Sequence, residues 1–79
     1  MTTIEEEVLA LVTVLAPTAG EPGLDDTFVG LGYTSVRFLE LAIAVEQAFG
    51  LRPLPPETLA RVTTVGDLVD LVEDLRGAG

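Results

Sequence analysis

The sequence predicts a small all-α domain, and three observations lead to this prediction. Three segments place apolar residues every three to four positions, which is the periodicity of an amphipathic helix. Glycine and proline are concentrated in the stretches between these segments. The chain has 79 residues, of which 48% are hydrophobic despite a net charge of −9, so we expect a folded core rather than a disordered chain. We therefore treat residues 1–79 as a single domain.

The first predicted helix begins after Thr2 or Thr3, either of which can form a capping box with an acid three residues later, and it ends before Pro17. Three acids, Glu5–Glu7, lie in its first turn, where the helix dipole favours negative charge. We interpret them as a solvated helix start in preference to a metal or partner site. The apolar side contains Ile4, Val8, Leu11 and Leu15, with Val12 at its edge.

A long connection, residues 16–33, follows this helix and contains six glycines and prolines. Connections of this length are unusual in a small domain unless they are anchored or functional. Leu24, Phe28 and Leu31 are the candidate anchors, and residues 25–27 are expected to start a short helical turn.

The second predicted helix runs from Ser35 to Phe49, with Gly50 at its C-terminal cap. One side is sufficient for a core face and contains Phe38, Leu41, Ala42, Val45 and Phe49. The other side mixes aliphatic and charged residues, namely Val36, Leu39 and Ile43 with Arg37, Glu40, Glu46 and Gln47. Either this side meets a partner that has an apolar groove and a basic rim, or the loops of the protein cover it. The sequence leaves both interpretations open.

The remaining helices are a brief one within residues 57–61, after three prolines, and a long one capped by Thr64 with Asp67 three residues later. Gly77 is expected to end the long helix. Its core side contains Val65, Leu68, Val69, Val72 and Leu75, with Leu71 beside them. The acids on its other side, among them Asp70 and Asp74, lack the spacing of an EF-hand loop, so we interpret them as a solvated face.

Composition excludes several classes of function. The chain has no cysteine and no histidine, which removes thiolate and imidazole metal sites and the common nucleophilic triads. Four basic residues against thirteen acids argue against nucleic acid and anionic membranes as partners, and favour a partner with a basic surface. The acidic N-terminus is unlike a targeting peptide, and the longest apolar stretch, Val8–Ala16, is too short to cross a bilayer. We expect a cytoplasmic monomer without catalytic activity of its own.

Ser35 lies at the predicted start of the second helix, directly after Thr34. The two residues compete to cap the helix, so one hydroxyl is left free. A phosphate ester on Ser35 would lie against unpaired backbone N–H groups and the positive end of the helix dipole. On this evidence alone, a serine at a helix start is more often a cap than a modification site.

The residues around this serine read Leu31-Gly32-Tyr33-Thr34-Ser35-Val36-Arg37-Phe38-Leu39-Glu40-Leu41. This stretch resembles the 4′-phosphopantetheine attachment motif of acyl carrier proteins and peptidyl carrier proteins, with Gly32, Tyr33 and Thr34 as its leading residues. The resemblance continues through residues 48–50 and 62–68 and so covers nearly the whole chain. It implies a four-helix bundle of acyl-carrier type with a long first loop and a short third helix.

In that family the serine that matches Ser35 carries the prosthetic arm, so the resemblance implies 4′-phosphopantetheine as a covalent cofactor derived from coenzyme A. It also implies that the second helix docks partner enzymes through Val36, Arg37, Leu39, Glu40, Ile43 and Glu46. The chain departs from the family at Thr34, where aspartate or histidine is usual, and Arg37 makes the helix start less acidic than usual. We expect these departures to affect the preference of the modifying transferase and the choice of partners.

The resemblance implies a carrier that holds acyl, polyketide or aminoacyl intermediates as thioesters. Its implied partners are a phosphopantetheinyl transferase and loading, ketosynthase, acyltransferase or condensation-type enzymes with basic docking patches. Fatty-acid-like and specialised-metabolite biosynthesis both fit, and we favour the latter, with the carrier free-standing or part of a larger synthase. The alternative is an unmodified helical interaction module that uses the exposed side of the second helix.

Overall fold

The computed structural model describes residues 3–16 and 20–78, and these residues form four helices: α1 (Ile4–Leu15), α2 (Ser35–Phe49), α3 (Pro56–Leu59) and α4 (Val65–Ala78). Across these two ranges the only β-type pairing is an isolated bridge between Thr27 and Thr64. The structure therefore confirms the all-α fold of acyl-carrier type with a long first loop and a short third helix. None of the helices in the described ranges is both long and apolar enough to cross a membrane.

The boundaries of α1 and α2 follow from their caps. The Thr3 side-chain oxygen accepts a hydrogen bond from the Glu6 amide at 3.1 Å, so Thr3 caps α1, while Thr2 and Pro17 lie outside the described residues. Helix α2 begins and ends where the sequence predicts. It is terminated by Gly50, whose φ of 64° lies in the left-handed region that glycine adopts without strain.

The core lies where α1 packs against both α2 and α4. It is apolar throughout, and its buried helical residues are Val8, Val12, Leu41, Ala42, Val45, Phe49, Leu59, Val65, Leu68, Val69 and Val72. Val12, expected at the edge of the α1 apolar side, is fully buried, whereas Ile4, Leu11 and Leu15 are half-buried. Leu75 was expected on the core side, but it is partly exposed and lines a small cleft with residues 50–53.

The long first loop is anchored by aromatic side chains. Phe28 is buried, with its ring centroid 5.3 Å from that of Tyr33 and 5.0 Å from that of Phe38. Leu31 is half-buried and packs against the core. The expected turn begins at Thr27, whose carbonyl accepts the Leu31 amide at 3.0 Å, but it does not extend into a helix.

Leu24 anchors the loop by its backbone rather than by its side chain, which is exposed. Its carbonyl oxygen accepts the Gly66 amide at 2.8 Å, in the first turn of α4. A Cβ at Gly66 would lie 3.0 Å from that oxygen, which explains a glycine inside a helix. The loop therefore supplies acceptors to the amides at the start of α4 that the helix itself leaves unpaired.

Helix α4 begins with the predicted capping box but extends beyond its predicted end. The Thr64 side-chain oxygen accepts the Asp67 amide at 3.1 Å, and an Asp67 carboxylate oxygen accepts the Thr64 amide at 3.1 Å. Gly77 was expected to end α4, but the helix continues to Ala78 because Gly77 has no positive φ. Arg76 holds this last turn against α2, where it donates to the Phe49 carbonyl at 3.2 Å.

Candidate functional site

The start of α2 separates the roles of two adjacent hydroxyl groups. Thr34 has extended backbone angles, and its side-chain oxygen accepts the Arg37 amide at 3.1 Å, so Thr34 is the N-cap. Ser35 is the first helical residue and is exposed, and no hydrogen bond joins its hydroxyl to another described residue. Ser35 is also the only serine in the sequence. Its hydroxyl is therefore accessible and is not occupied in capping the helix.

The backbone around Ser35 favours a negatively charged group. The amides of Ser35 and Val36 belong to the first turn of α2, and neither has an acceptor among the residues that the structure describes. They lie at the positive end of the dipole of a 15-residue helix. An anionic ester on the Ser35 oxygen would therefore have two N–H donors and a favourable field nearby.

Tyr33 fixes the segment that leads into Ser35. The Tyr33 hydroxyl donates to the Val12 carbonyl at 2.6 Å, and the Tyr33 amide donates to the Phe28 carbonyl at 2.9 Å. Val12 lies in the last turn of α1, where carbonyls lack an N–H donor from the helix itself, and the nearby Ala16 amide donates to the Thr13 carbonyl instead. Burial raises the pKa of the Tyr33 hydroxyl above its usual value, although the Arg37 charge partly offsets this effect. Tyr33 therefore stays neutral and remains a hydrogen-bond donor.

Gly32 permits the turn that delivers Tyr33 to the core. Its φ is 87°, in the left-handed region, and its amide donates to the Val29 carbonyl at 3.0 Å. Gly32, Tyr33 and Thr34 thus supply, in order, the turn, the anchor and the cap that place Ser35 at the surface.

A cleft of about 270 Å³ lies beside Ser35. It runs between the end of the first loop, the start of α2 and the segment after α3. Phe28, Phe38, Leu59 and Val62 are among the residues that line it, together with Ser35. The candidate site is therefore an exposed hydroxyl at the wall of a largely apolar cleft. A larger depression of about 670 Å³ lies along the acidic side of α4; it shares Val62 with this cleft but does not include Ser35.

The side of α2 that faces away from the core is open to solvent. Val36, Leu39 and Ile43 are 69%, 53% and 53% exposed, so the loops do not cover this side. Arg37 and Glu40 form an ion pair with an N–O distance of 3.7 Å and half-exposed side chains. Exposed ion pairs of this kind contribute little stability, and here the pair mainly cancels two charges near Ser35.

Glu46 differs from the other expected docking residues. Its carboxylate accepts the Leu54 amide at 2.9 Å in a partly buried hydrogen bond. The structure therefore brings Val36, Arg37, Leu39, Glu40 and Ile43 together on one open surface near Ser35, whereas Glu46 anchors the segment that follows α2.

Sequence reasoning missed one exposed apolar residue at this site. Val29 is 85% exposed and lines the cleft beside Ser35. The exposure of Val29 could have been inferred from the sequence, because Phe28 before it and Leu31 after it were both expected to point inward. A residue between two such anchors in a tight turn has little room to do the same.

Comparison with known proteins agrees with this geometry. A family model described as a phosphopantetheine attachment site matches residues 6–72, a range that includes Ser35 and the whole of α2 and α3. An acyl carrier protein of Helicobacter acinonychis (strain Sheeba) is 35% identical over 71 residues, which span 87% of this chain and 90% of that protein. An acyl carrier protein of Rhodococcus erythropolis (strain PR4) is 33% identical over 74 residues, which span 92% of this chain and 78% of that protein.

Proposed function

This chain belongs to the phosphopantetheine-attachment family of carrier proteins, and we propose that it bears its covalent 4′-phosphopantetheine group on Ser35 and carries acyl intermediates. The observation that supports this site best is that the two adjacent hydroxyl groups at the start of α2 have different roles. Thr34 caps the helix, while the hydroxyl of Ser35 is exposed and without a partner among the described residues. A hydroxyl in that state is available as a nucleophile.

The residues present fit the group. In the attachment step the Ser35 oxygen forms a bond to the phosphorus of coenzyme A that carries the pantetheine. The bond from that phosphorus to the bridging pyrophosphate oxygen breaks, and adenosine bisphosphate leaves with that oxygen. The hydroxyl proton passes to a base of the transferase, because the residues that line the cleft beside Ser35 include no carboxylate, histidine or cysteine and the Tyr33 hydroxyl already donates to the Val12 carbonyl. The amides of Ser35 and Val36, which have no acceptor in the described part of the chain, then favour the phosphodiester. When bound, the arm supplies a thiol that holds cargo as a thioester.

The proposed cargo is an acyl group, since the two relatives described above are acyl carrier proteins. More specifically, we propose that the cargo is a polyketide or aminoacyl intermediate of specialised-metabolite synthesis. The proposed partners are a phosphopantetheinyl transferase and loading, ketosynthase, acyltransferase or condensation-type enzymes. We place this work in the cytoplasm, where coenzyme A is available. A covalent tether would raise the effective concentration of the cargo at each partner, and the net charge of −9 would steer the carrier toward basic surfaces.

Intact-mass measurement tests the attachment site. We expect the unmodified protein, incubated with coenzyme A and a broad-specificity phosphopantetheinyl transferase, to gain the mass of one arm. Ser35→Ala should gain nothing. Thr34→Asn is the matched control, because it removes the neighbouring hydroxyl but keeps an oxygen that can cap α2, and it should load normally.

The same experiment addresses the alternative, an unmodified interaction module that uses the exposed side of α2. That function requires the folded wild-type chain to remain unmodified by several transferases. Equal loading of Ser35→Ala and wild type would instead remove Ser35 from the proposal while leaving the family assignment intact.

A further inference from the structure

Glu46 differs from the other acid of α2 in what its carboxylate does. It accepts the Leu54 amide at 2.9 Å in a partly buried hydrogen bond, whereas the Glu40 side chain is 53% exposed. We propose that Glu46 is a positioning residue: it holds the segment between α2 and α3, and it thereby fixes the wall that Leu59 and the residues after it form in the cleft beside Ser35 (the α3 wall). The inference rests on the proposed function, because it assigns to Glu46 the shape of the surface beside the attachment site and not a charge that docks partners.

The segment between α2 and α3 has few backbone donors to offer. Residues 53–56 read Pro53-Leu54-Pro55-Pro56, and proline has no amide hydrogen, so Leu54 has the only N–H group among these four residues. That group is the one that Glu46 binds. The proline rings also restrict the backbone angles on both sides of Leu54. A bond at this single amide therefore fixes the direction in which the chain enters α3.

Helix α3 depends on its surroundings for its position. It has four residues, which are too few for a helix that is stable by itself. Its N-cap is Pro55, directly after Leu54. Beyond its other end, the Thr63 carbonyl accepts the Phe28 amide at 3.0 Å. The segment that contains α3 is thus held on both sides, by α2 before the helix and by the first loop after it.

The α3 wall connects this segment to the attachment site. Leu59 is buried and lines the cleft together with Ser35, and Val62 lines it as well. A displacement of α3 would therefore move one wall of the cleft relative to the Ser35 hydroxyl. Glu46 itself lies outside the cleft, so its effect on the site passes through Leu54 and α3.

The bond to Leu54 requires an oxygen acceptor and does not require a negative charge. Glu46→Gln keeps a side-chain oxygen and removes the charge, whereas Glu46→Ala removes both. A docking charge would predict equal losses in the two variants, while a positioning role predicts that glutamine restores what alanine loses. Glu40→Ala is the matched control for the bond, because Glu40 is an exposed acid on the same helix.

Hydrogen exchange of the Leu54 amide, followed by NMR in the unmodified chain, measures the bond directly. We expect exchange about five- to tenfold faster in Glu46→Ala, because the amide loses its acceptor. Exchange in Glu46→Gln and Glu40→Ala should stay within about twofold of wild type. The methyl signals of Leu59 and Val62 should shift in Glu46→Ala and return toward their wild-type positions in Glu46→Gln. Exchange in Glu46→Ala equal to wild type, or unshifted methyl signals in that variant, would overturn the inference.

Turnover of the arm-loaded, acylated carrier by one purified partner ketosynthase separates positioning from docking. We expect Glu46→Ala to lower kcat/KM about fivefold, because the surface beside the attachment site is displaced, with Glu46→Gln within about twofold of wild type. Equal losses in the two variants would show that the charge itself is used and would overturn the inference. Failure of the folded wild-type chain to accept the arm is a separate result: it would overturn the proposed function, whereas the exchange and methyl signals of the unmodified chain would still decide whether Glu46 fixes the α3 wall.

Discussion

Tyr33→Phe removes the hydrogen bond that ties the segment before Ser35 to α1. The Tyr33 hydroxyl donates to the Val12 carbonyl at 2.6 Å in the buried core. Without it, that carbonyl keeps no partner among residues 3–16 and 20–78, because it belongs to the last turn of α1 and the Ala16 amide donates to the Thr13 carbonyl. Leaving a buried acceptor unsatisfied costs about 1–2 kcal/mol of the free energy of unfolding.

For a domain of this size, a loss of about 1.5 kcal/mol lowers Tm by roughly 6–12 °C. Thermal unfolding followed by circular dichroism measures this shift. Thr13→Val is the matched control: it also removes a hydroxyl that donates to an α1 carbonyl, that of Leu9, at 2.8 Å, but at an exposed site. The Leu9 carbonyl keeps its helical N–H donor, so this variant should stay within about 0.5 kcal/mol of wild type.

High pH provides a second measurement on the same pair. Burial raises the pKa of Tyr33 above its usual 10.0, so the native state retains the phenol proton more strongly than the unfolded chain does. The corresponding stability is complete below pH 10 and is lost as pH rises through the native-state pKa. The difference in unfolding free energy between wild type and Tyr33→Phe should therefore shrink at high pH. Equal stability of the two proteins at neutral pH would refute the reasoning about the Val12 carbonyl.

Three further predictions concern the N-cap of α2, the capping box of α4 and the exposed side of α2. Thr34→Ala should lower the free energy of unfolding by about 1 kcal/mol through loss of the cap, while Thr34→Asn should not, and equal losses would show that capping is unimportant there. Asp67 has a pKa below its usual 3.8 because its carboxylate accepts the Thr64 and Thr63 amides, so its stabilisation is present above pH 3.8 and is lost as pH falls through the native-state pKa. Acid titration of stability should thus show the gap between wild type and Asp67→Asn closing below pH 3.8, and a constant gap would contradict this cause. Ile43→Asp should lower turnover of the loaded carrier by a partner ketosynthase about fivefold or more, with Val14→Asp near wild type; unchanged turnover would remove this side of α2 from the interface.

The sequence predicts those features that depend on local periodicity and capping. Both ends of α2 follow from neighbouring residues, since a hydroxyl cap precedes Ser35 and a left-handed glycine follows Phe49. The capping box of α4 is local for the same reason. Gly77 shows the limit of such rules, because α4 continues past this glycine. Its neighbour Arg76 donates to the Phe49 carbonyl on α2 and so supports the last turn of α4, and this contact joins residues far apart in sequence.

The candidate site was only partly predictable, because long-range contacts decide which side chains are free. The sequence leaves open whether Thr34 or Ser35 caps α2, whereas the extended backbone of Thr34 identifies it as the cap. The bond from Tyr33 to Val12 joins the first loop to α1, and the bond from Glu46 to Leu54 removes one acid from the open side of α2. Neither pairing has a spacing that sequence periodicity reveals.

Tandem mass spectrometry of the loaded chain tests the central claim most directly, because it locates the added group on an individual residue. The account predicts that every fragment ion containing Ser35 gains the mass of the arm and that ions ending at Thr34 do not. Attachment at Thr34 or at any other hydroxyl, in a chain shown by circular dichroism to be folded, would contradict it.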